Sequence, residues 1–158
     1  MVSDTHLRAG QADRLPVAVR AAAEQVEVIL HAGDVTSVEL LDELRSLAPL
    51  HAVLGNNDTD LTGVLPERVV VDLDGVTVAM VHDAGPRKGR PGRLARWFPT
   101  ADLVVFGHSH EPVVERDGDR WLLNPGSPTQ RRRQPHPTYA LVELTGGSVG
   151  RVEVVALR

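Results

Sequence analysis

Four short apolar runs in this chain, Val28–Leu30, Leu50–Leu54, Val76–Val81 and Leu103–Phe106, each stop shortly before a side chain that can bind a metal. Those side chains are Asp34, Asn56, His82 and the pair His108 and His110, and Asp4 and His6 follow Val2 in the same manner. Runs this short suit strands better than helices. In sheets with βα connections, the loops beyond the carboxyl ends of the strands converge on one crevice, so residues far apart in sequence meet around one ligand. Gly33, Gly55 and Gly107 stand immediately before Asp34, Asn56 and His108. A residue without Cβ lets the backbone turn sharply and aim the next side chain inward.

Between these runs lie helix-compatible segments. Pro16 to Val26 is Ala-rich, with Pro16 suited to a first turn and Arg20 four residues before Glu24. Thr36 or Ser37 can cap a second helix running to about Leu47, and Gly89–Phe98 can form a basic helix. The second half turns to hairpins. Arg68–Leu73 and Val76–Val81 flank Asp74-Gly75, a strong two-residue turn signal. Val113–Glu115 and Arg120–Leu123 flank Asp117-Gly118-Asp119, while Tyr139–Leu144 and Val149–Val155 flank Gly146-Gly147. No repeat or linker divides residues 1–158, so the expectation is one domain of layered sheets with helices outside.

Composition narrows the function classes. With 42% hydrophobic and 24% charged residues the chain belongs to neither the disordered nor the membrane class, and no apolar stretch reaches the ~20 residues that span a bilayer. A cytoplasmic protein is expected, since no signal-peptide pattern opens the chain. The net charge of -4 and the 3% aromatic content argue against nucleic-acid duplexes and single strands as partners. There is no cysteine, so any metal site must use nitrogen and oxygen ligands and any nucleophile must be something other than a thiolate.

Each motif taken alone has an ordinary explanation. Asp4-Thr5-His6 can be a turn or cap, and Gly33-Asp34 a strand-ending turn. Gly107-His108-Ser109-His110 is more telling, because two imidazoles two residues apart after a buried strand can chelate. The order of all five segments is the specific signal. Together with Asn124-Pro125-Gly126-Ser127 they resemble the calcineurin-like metallophosphoesterases, in particular the small bacterial and archaeal phosphodiesterase branch related to the small retromer subunit. That resemblance implies a four-layer αββα sandwich of two mixed sheets flanked by helices, with the site at one edge of the sheets. By position, Asp4, His6, Asp34 and His110 would hold one divalent metal, and Asp34, Asn56, His82 and His108 a second, Asp34 bridging both.

The ligand types fit that chemistry. Paired metals can share a hydroxide, orient a phosphate and neutralise charge during in-line attack, which gives an acidic protein a local means of attracting a phosphate ester. Imidazole, carboxylate and amide donors suit Mn, Fe, Zn or Ni over Ca and Mg, and manganese is the expected ion. His31 is expected to be buried behind the site, His51 structural and His136 in a solvated loop.

Two departures from the family pattern stand out. Relatives carry several apolar residues before the Asp-x-His segment, whereas here only Met1-Val2 precede Ser3-Asp4, so either the chain continues upstream or neighbouring strands complete the sheet. Asn57 occupies the position where many members of the family place a histidine as proton donor and the small phosphodiesterase branch often has cysteine, and an amide does not titrate near neutral pH. Asn57 and Asp58 are the candidate catalytic residues, Asp58 in an orienting role. The expected activity is metal-dependent hydrolysis of a small phosphate ester, a phosphodiester first. The alternatives are a phosphomonoesterase or a non-catalytic protein-binding scaffold on the same fold. A homodimer is an expected assembly.

Overall fold

The computed structural model covers residues Met1–Arg158. Apolar residues alternate along its strands between two packing faces, and this period of two sorts them into separate layers. The elements in chain order are α1 (Val17–Ala23), β1 (Ile29–His31), α2 (Val38–Leu47), β2 (Leu50–Ala52), β3 (Arg68–Leu73), β4 (Val76–Val81), α3 (Arg90–Trp97), β5 (Leu103–Val105), β6 (Val113–Asp117), β7 (Arg120–Asn124), β8 (Thr138–Thr145) and β9 (Ser148–Ala156). Val76, Val78 and Met80 of β4, Leu103 and Val105 of β5, and Leu123 of β7 face Leu30, Val53 and Ala140 across the middle of the molecule. Their neighbours Ala79, Val81, Val104 and Leu122 face the other way, onto Leu94 and Phe98 at α3. Ile29 turns from β1 toward Leu40, Leu41 and Leu44 of α2 and Val19 of α1. The result is the expected αββα sandwich.

One sheet has the order β3-β4-β5-β7-β6, with β4, β5 and β7 parallel and the edge strands antiparallel. The other is joined through the chain's first two residues. Val2 bridges to His31 in parallel, with Val2 N–H donating to Leu30 O and Ala32 N–H to Val2 O, both at 2.9 Å. On its far side Met1 exchanges hydrogen bonds with Ala140 of β8, 2.7 and 3.0 Å long. The stub therefore lies between the β1–β2 pair and the β8–β9 pair, and only one or two residues hold the two pairs together. Beyond Met1, an open cleft of about 940 Å³ continues the strand's line between Val26–Val28 and Leu141–Thr145.

All three expected hairpins form. Asp74 and Gly75 both have positive φ (53° and 78°), which a tight primed turn requires. Ser37, not Thr36, caps α2, accepting from Leu40 N–H at 3.2 Å and donating to Leu7 O. The first helix is shorter than its Ala-rich pattern indicates: Pro16 stands before it, and it ends at Ala23 because the chain must turn to send Val26 and Ile29 into the core. Arg20 pairs with Glu43 of α2, across two helices, and not with Glu24.

Candidate metal centre

The parallel strands β1, β2, β4 and β5 and the stub all run the same way, so the seven predicted ligands leave the sheets at one edge. Loop-to-loop hydrogen bonds fix the convergence: Asp4 N–H donates to Gly33 O, His6 N–H to Asp34 O and Gly107 N–H to His82 O, all at 2.9–3.0 Å. Five of the seven, Asp4, His6, Asp34, His108 and His110, have a left-handed backbone with φ between 47° and 71°. Asp and His tolerate this conformation better than most residues, but it still carries strain, and such strain clusters at working sites. Of the glycines beforehand, Gly33 does turn the chain, at φ 90°. Gly107 serves a different purpose from the sharp turn expected of it: a Cβ there would collide with Ser3 Oγ and lie 2.8 Å from Asp4 Oδ2.

The donors form two groups, Asp4 with His6 and His110, and Asp4 with Asp34 and His82. Asp4 is common to both, and Asp34 Oδ2 lies between two of the rings, 3.5 Å from His6 Nε2 and 3.4 Å from His82 Nε2. Asp4 Oδ2 is occupied by Ser3 Oγ–H at 2.7 Å and His108 N–H at 3.0 Å. Its Oδ1 is buried without a hydrogen-bond partner, although His110 Nε2 stands 3.2 Å away. Asn56 Oδ1 faces His82 Nε2 at 3.0 Å and His108 Nδ1 at 2.9 Å.

Two rings are set by backbone carbonyls. His82 Nδ1 lies 2.7 Å from Ala32 O, and His110 Nδ1 lies 2.7 Å from Gln130 O. A carbonyl only accepts, so Nδ1 carries the proton in both, and a neutral ring then presents a bare lone pair at Nε2. The Nε2 lone pairs of His82 and His110 thus converge on the side of the site where Asp4 Oδ1 has no donor, with His6 Nε2 3.2 Å from His110 Nε2. A divalent cation resolves that conflict, and the donor set, all nitrogen and oxygen, fits one.

Electrostatics point the same way. Burial alone would raise the Asp34 and Asp4 carboxyls, but hydrogen bonds and nearby rings override it and hold both below the usual range. For Asp34 these partners are His82 and the Asn57 backbone and side-chain N–H groups at 2.8 and 2.7 Å. Burial pushes His6 down, against the pull of Asp34 and Asp4, whereas at His82 the same carboxylates outweigh burial and raise it. Two anionic carboxylates buried among imidazoles describe a cation site.

The remaining candidates fall into place around it. Asp58 is buried, and both its oxygens are taken by backbone donors: Asp34 N–H, Gly55 N–H and Thr36 N–H at 2.7–2.9 Å. It clamps the Asp34 loop onto the Asn56 loop. Asn57 is exposed with its amide on Asp34. His31 is fully buried, its Nε2 3.0 Å from Thr5 Oγ1, and burial drives its pKa down to about 3, so it stays neutral behind the ligands. His51 is half-buried in β2 and His136 is exposed. Sequence reading missed Ser127, whose Oγ–H donates to Asp4 O at 2.7 Å, and Asn124, whose amide donates to Gly107 O at 2.9 Å. The Asn124–Ser127 segment was visible as a motif; its part as a brace under two ligand loops was not. The Gln130 carbonyl left no trace, since any residue supplies one.

The calcineurin-like phosphoesterase superfamily domain model matches residues 1–147. The chain belongs to that superfamily. It is 38% identical over 149 residues to a probable metallophosphoesterase of Methanothermobacter thermautotrophicus, covering 92% of this chain and 85% of the relative. A phosphodiesterase of Methanocaldococcus jannaschii is 29% identical over 143 residues, 80% of this chain and 81% of that protein. Among solved structures, zinc-complexed Vps29 of Entamoeba histolytica superposes with a TM-score of 0.76 at 24% identity, covering 98% of this chain and 96% of that one, a likeness of fold. This phosphoesterase-family chain is thus a hydrolase by membership, and no helix in it is long and apolar enough to cross a membrane.

Proposed function

We propose that this phosphoesterase hydrolyses phosphodiesters with two divalent ions, manganese by preference. One would be held by Asp4, His6, Asp34 and His110, the other by Asp34, Asn56, His82 and His108. The observation that carries the reading is the convergence of carboxylate and imidazole donor atoms at one strand edge around the buried, partnerless Asp4 Oδ1. Bound there, the ions would supply Lewis-acid activation of water and neutralise phosphate charge.

The chain's own residues do the rest. Ala32 O and Gln130 O hold the His82 and His110 rings in the ligating tautomer. Asp58 fixes the Asp34 backbone, which in turn sets the carboxylate between the His6 and His82 rings. Asn57, exposed beside Asp34, can donate its amide to a phosphate oxygen but has no proton to give a leaving alkoxide. That limitation favours diesters with good leaving groups. A complete ligand set also weighs against a purely scaffolding role.

The test is reconstitution of metal-free protein with defined amounts of Mn, Zn, Fe or Ni, followed by hydrolysis of bis(4-nitrophenyl) phosphate, cyclic nucleotides, dinucleotides and monoesters. Two equivalents of metal at saturation and faster turnover of diesters than of monoesters are expected. One equivalent, or monoesters preferred, would overturn the corresponding part.

A further inference from the structure

The connection from β7 to β8 braces the ligand loops and then carries three arginines past them. Ser127 and Thr129 donate to the Asp4 and Thr5 carbonyls, Gln130 O holds the His110 ring, and the next residues are Arg131, Arg132 and Arg133. All three are exposed, unlike Arg90 of α3, which is buried over the Phe106 ring. They stand on a closed turn, in which Gln134 N–H donates to Arg131 O at 2.8 Å and the Arg131 guanidinium donates to Gln134 O at 2.7 Å. Arg131 is thereby committed to its own loop.

Arg132 is turned to the site instead. Its backbone is left-handed, at φ 48°, the same uncommon conformation as five of the proposed ligands. Outliers of this kind cluster where a protein works. Its guanidinium makes a long donation, 3.4 Å, from Nη1 to His108 O, and its positive charge acts on the His6 ring. A guanidinium carries five N–H donors, and this contact uses one of them. The chain's arginine ion pairs are made by Arg20, Arg45, Arg87, Arg116, Arg120 and Arg151, so no carboxylate neutralises Arg132.

The carboxylates of the centre, Asp4 and Asp34, are buried among the rings and belong to the ions on the proposed reading. Arg132 stands outside that balance, as an unpaired cation at the rim of the site in a chain whose net charge is -4. Its planar fork matches phosphate oxygens. The scissile phosphate has the ions to draw it. A cation set beside them therefore serves the group next along the substrate.

We propose that Arg132 is a specificity-determining residue that binds a second phosphate, carried on one ester arm of the substrate. The proposal rests on the phosphoesterase reading for the bond that is cut. It names the substrate class: a small phosphodiester with a further phosphate on one arm, in preference to a diester with neutral arms.

A matched pair of substrates tests it, the 5′-(4-nitrophenyl) phosphodiester of thymidine with and without a 3′-phosphate. In the unmodified protein the 3′-phosphate should lower KM roughly three- to tenfold, the scale of a charge-assisted contact at an exposed site. Arg132→Gln should remove most of that difference and change kcat to the same extent for both substrates, while Arg132→Lys should keep part of it. Equal KM for the two substrates in the unmodified protein, or a difference that survives Arg132→Gln, would overturn the proposal. Calorimetric titration of the metal-loaded protein with thymidine 3′,5′-bisphosphate and with thymidine 5′-phosphate reads the same preference without turnover. If neither diester is hydrolysed, a bisphosphate preference that Arg132→Gln abolishes upholds the phosphate subsite and sinks the phosphoesterase reading. Hydrolysis of both diesters with no such preference upholds that reading and sinks the subsite.

Discussion

Adding four apolar residues, such as Val-Ile-Val-Val, ahead of Met1 should stabilise the protein substantially. In the present chain the stub between β1 and β8 stops at Met1, and the cleft beyond it has the inner edges of Val26–Val28 and Leu141–Thr145 on its two sides. Where Met1 and Val2 lie, one strand fills the gap, because they bond to the strand pairs on both sides. Ordering four residues costs roughly 6 kcal/mol at ~1.5 each. Burying four apolar side chains at ~2 kcal/mol each returns about 8, and a few strand hydrogen bonds add roughly 0.5–1.5 each. The net is about 3–5 kcal/mol, a Tm rise of roughly 6–20 °C at ~2–4 °C per kcal/mol for a domain of this size. A second signature comes from pH. Burial lowers the Met1 amine from its usual 8.0 to about 5, so between those values the unfolded chain binds a proton that the folded chain does not, and stability falls as pH drops from 8 toward 5. In the extended chain that amine is an amide, and this part of the slope disappears. Thermal unfolding at several pH values, with a Gly-Ser extension of equal length as control, reads both effects. Equal Tm for the apolar and Gly-Ser extensions would refute the slot.

Other predictions concern the ligands. His110→Ala should lose one equivalent of metal by elemental analysis, while His31→Ala keeps both and costs about 2–3 kcal/mol in denaturant unfolding, because it removes a buried, hydrogen-bonded side chain; equal metal loss would erase the distinction. Gly107→Ala should cost about 1–3 kcal/mol and weaken the Asp4 site, since the new Cβ meets Ser3 and Asp4; unchanged stability and metal affinity would count against the clearance argument. Asn57→His should speed esters with poor leaving groups by about tenfold or more, with aryl esters little changed, because only the former need a general acid. A flat dependence of the unmodified protein's rate on leaving-group pKa would show that another residue supplies the proton.

Much of this was legible in the sequence for identifiable reasons. Hairpin turns are local, so Asp74-Gly75 and Gly146-Gly147 announced them, and strand ends announced Asp34, Asn56, His82, His108 and His110. What escaped depends on contacts between distant segments. The division of β4 into Val78 facing one sheet and Ala79 facing α3 follows from layer order, which a single strand does not encode. Asp58 looked like a residue beside the chemistry, and only the folded chain shows three backbone N–H groups converging on it. Arg20 had a partner four residues on, and the packing of α1 against α2 offered Glu43 instead. Arg90 sat unremarked in a basic segment because nothing local marks a guanidinium for burial.

If the proposed ligands hold metal, the left-handed backbone at Asp4, His6, Asp34, His108 and His110 would link the protein's fate in a cell to its metal supply. At about 1 kcal/mol or more per residue, the strain in these loops is a sizeable part of a total stability of ~5–15 kcal/mol. On the proposed reading, ligation would offset it when ions are bound; without them the same loops would open more readily than in the loaded protein. Chains made during metal starvation would present those loops to proteases first and be cleared, so the pool that survives would be enriched in molecules already loaded.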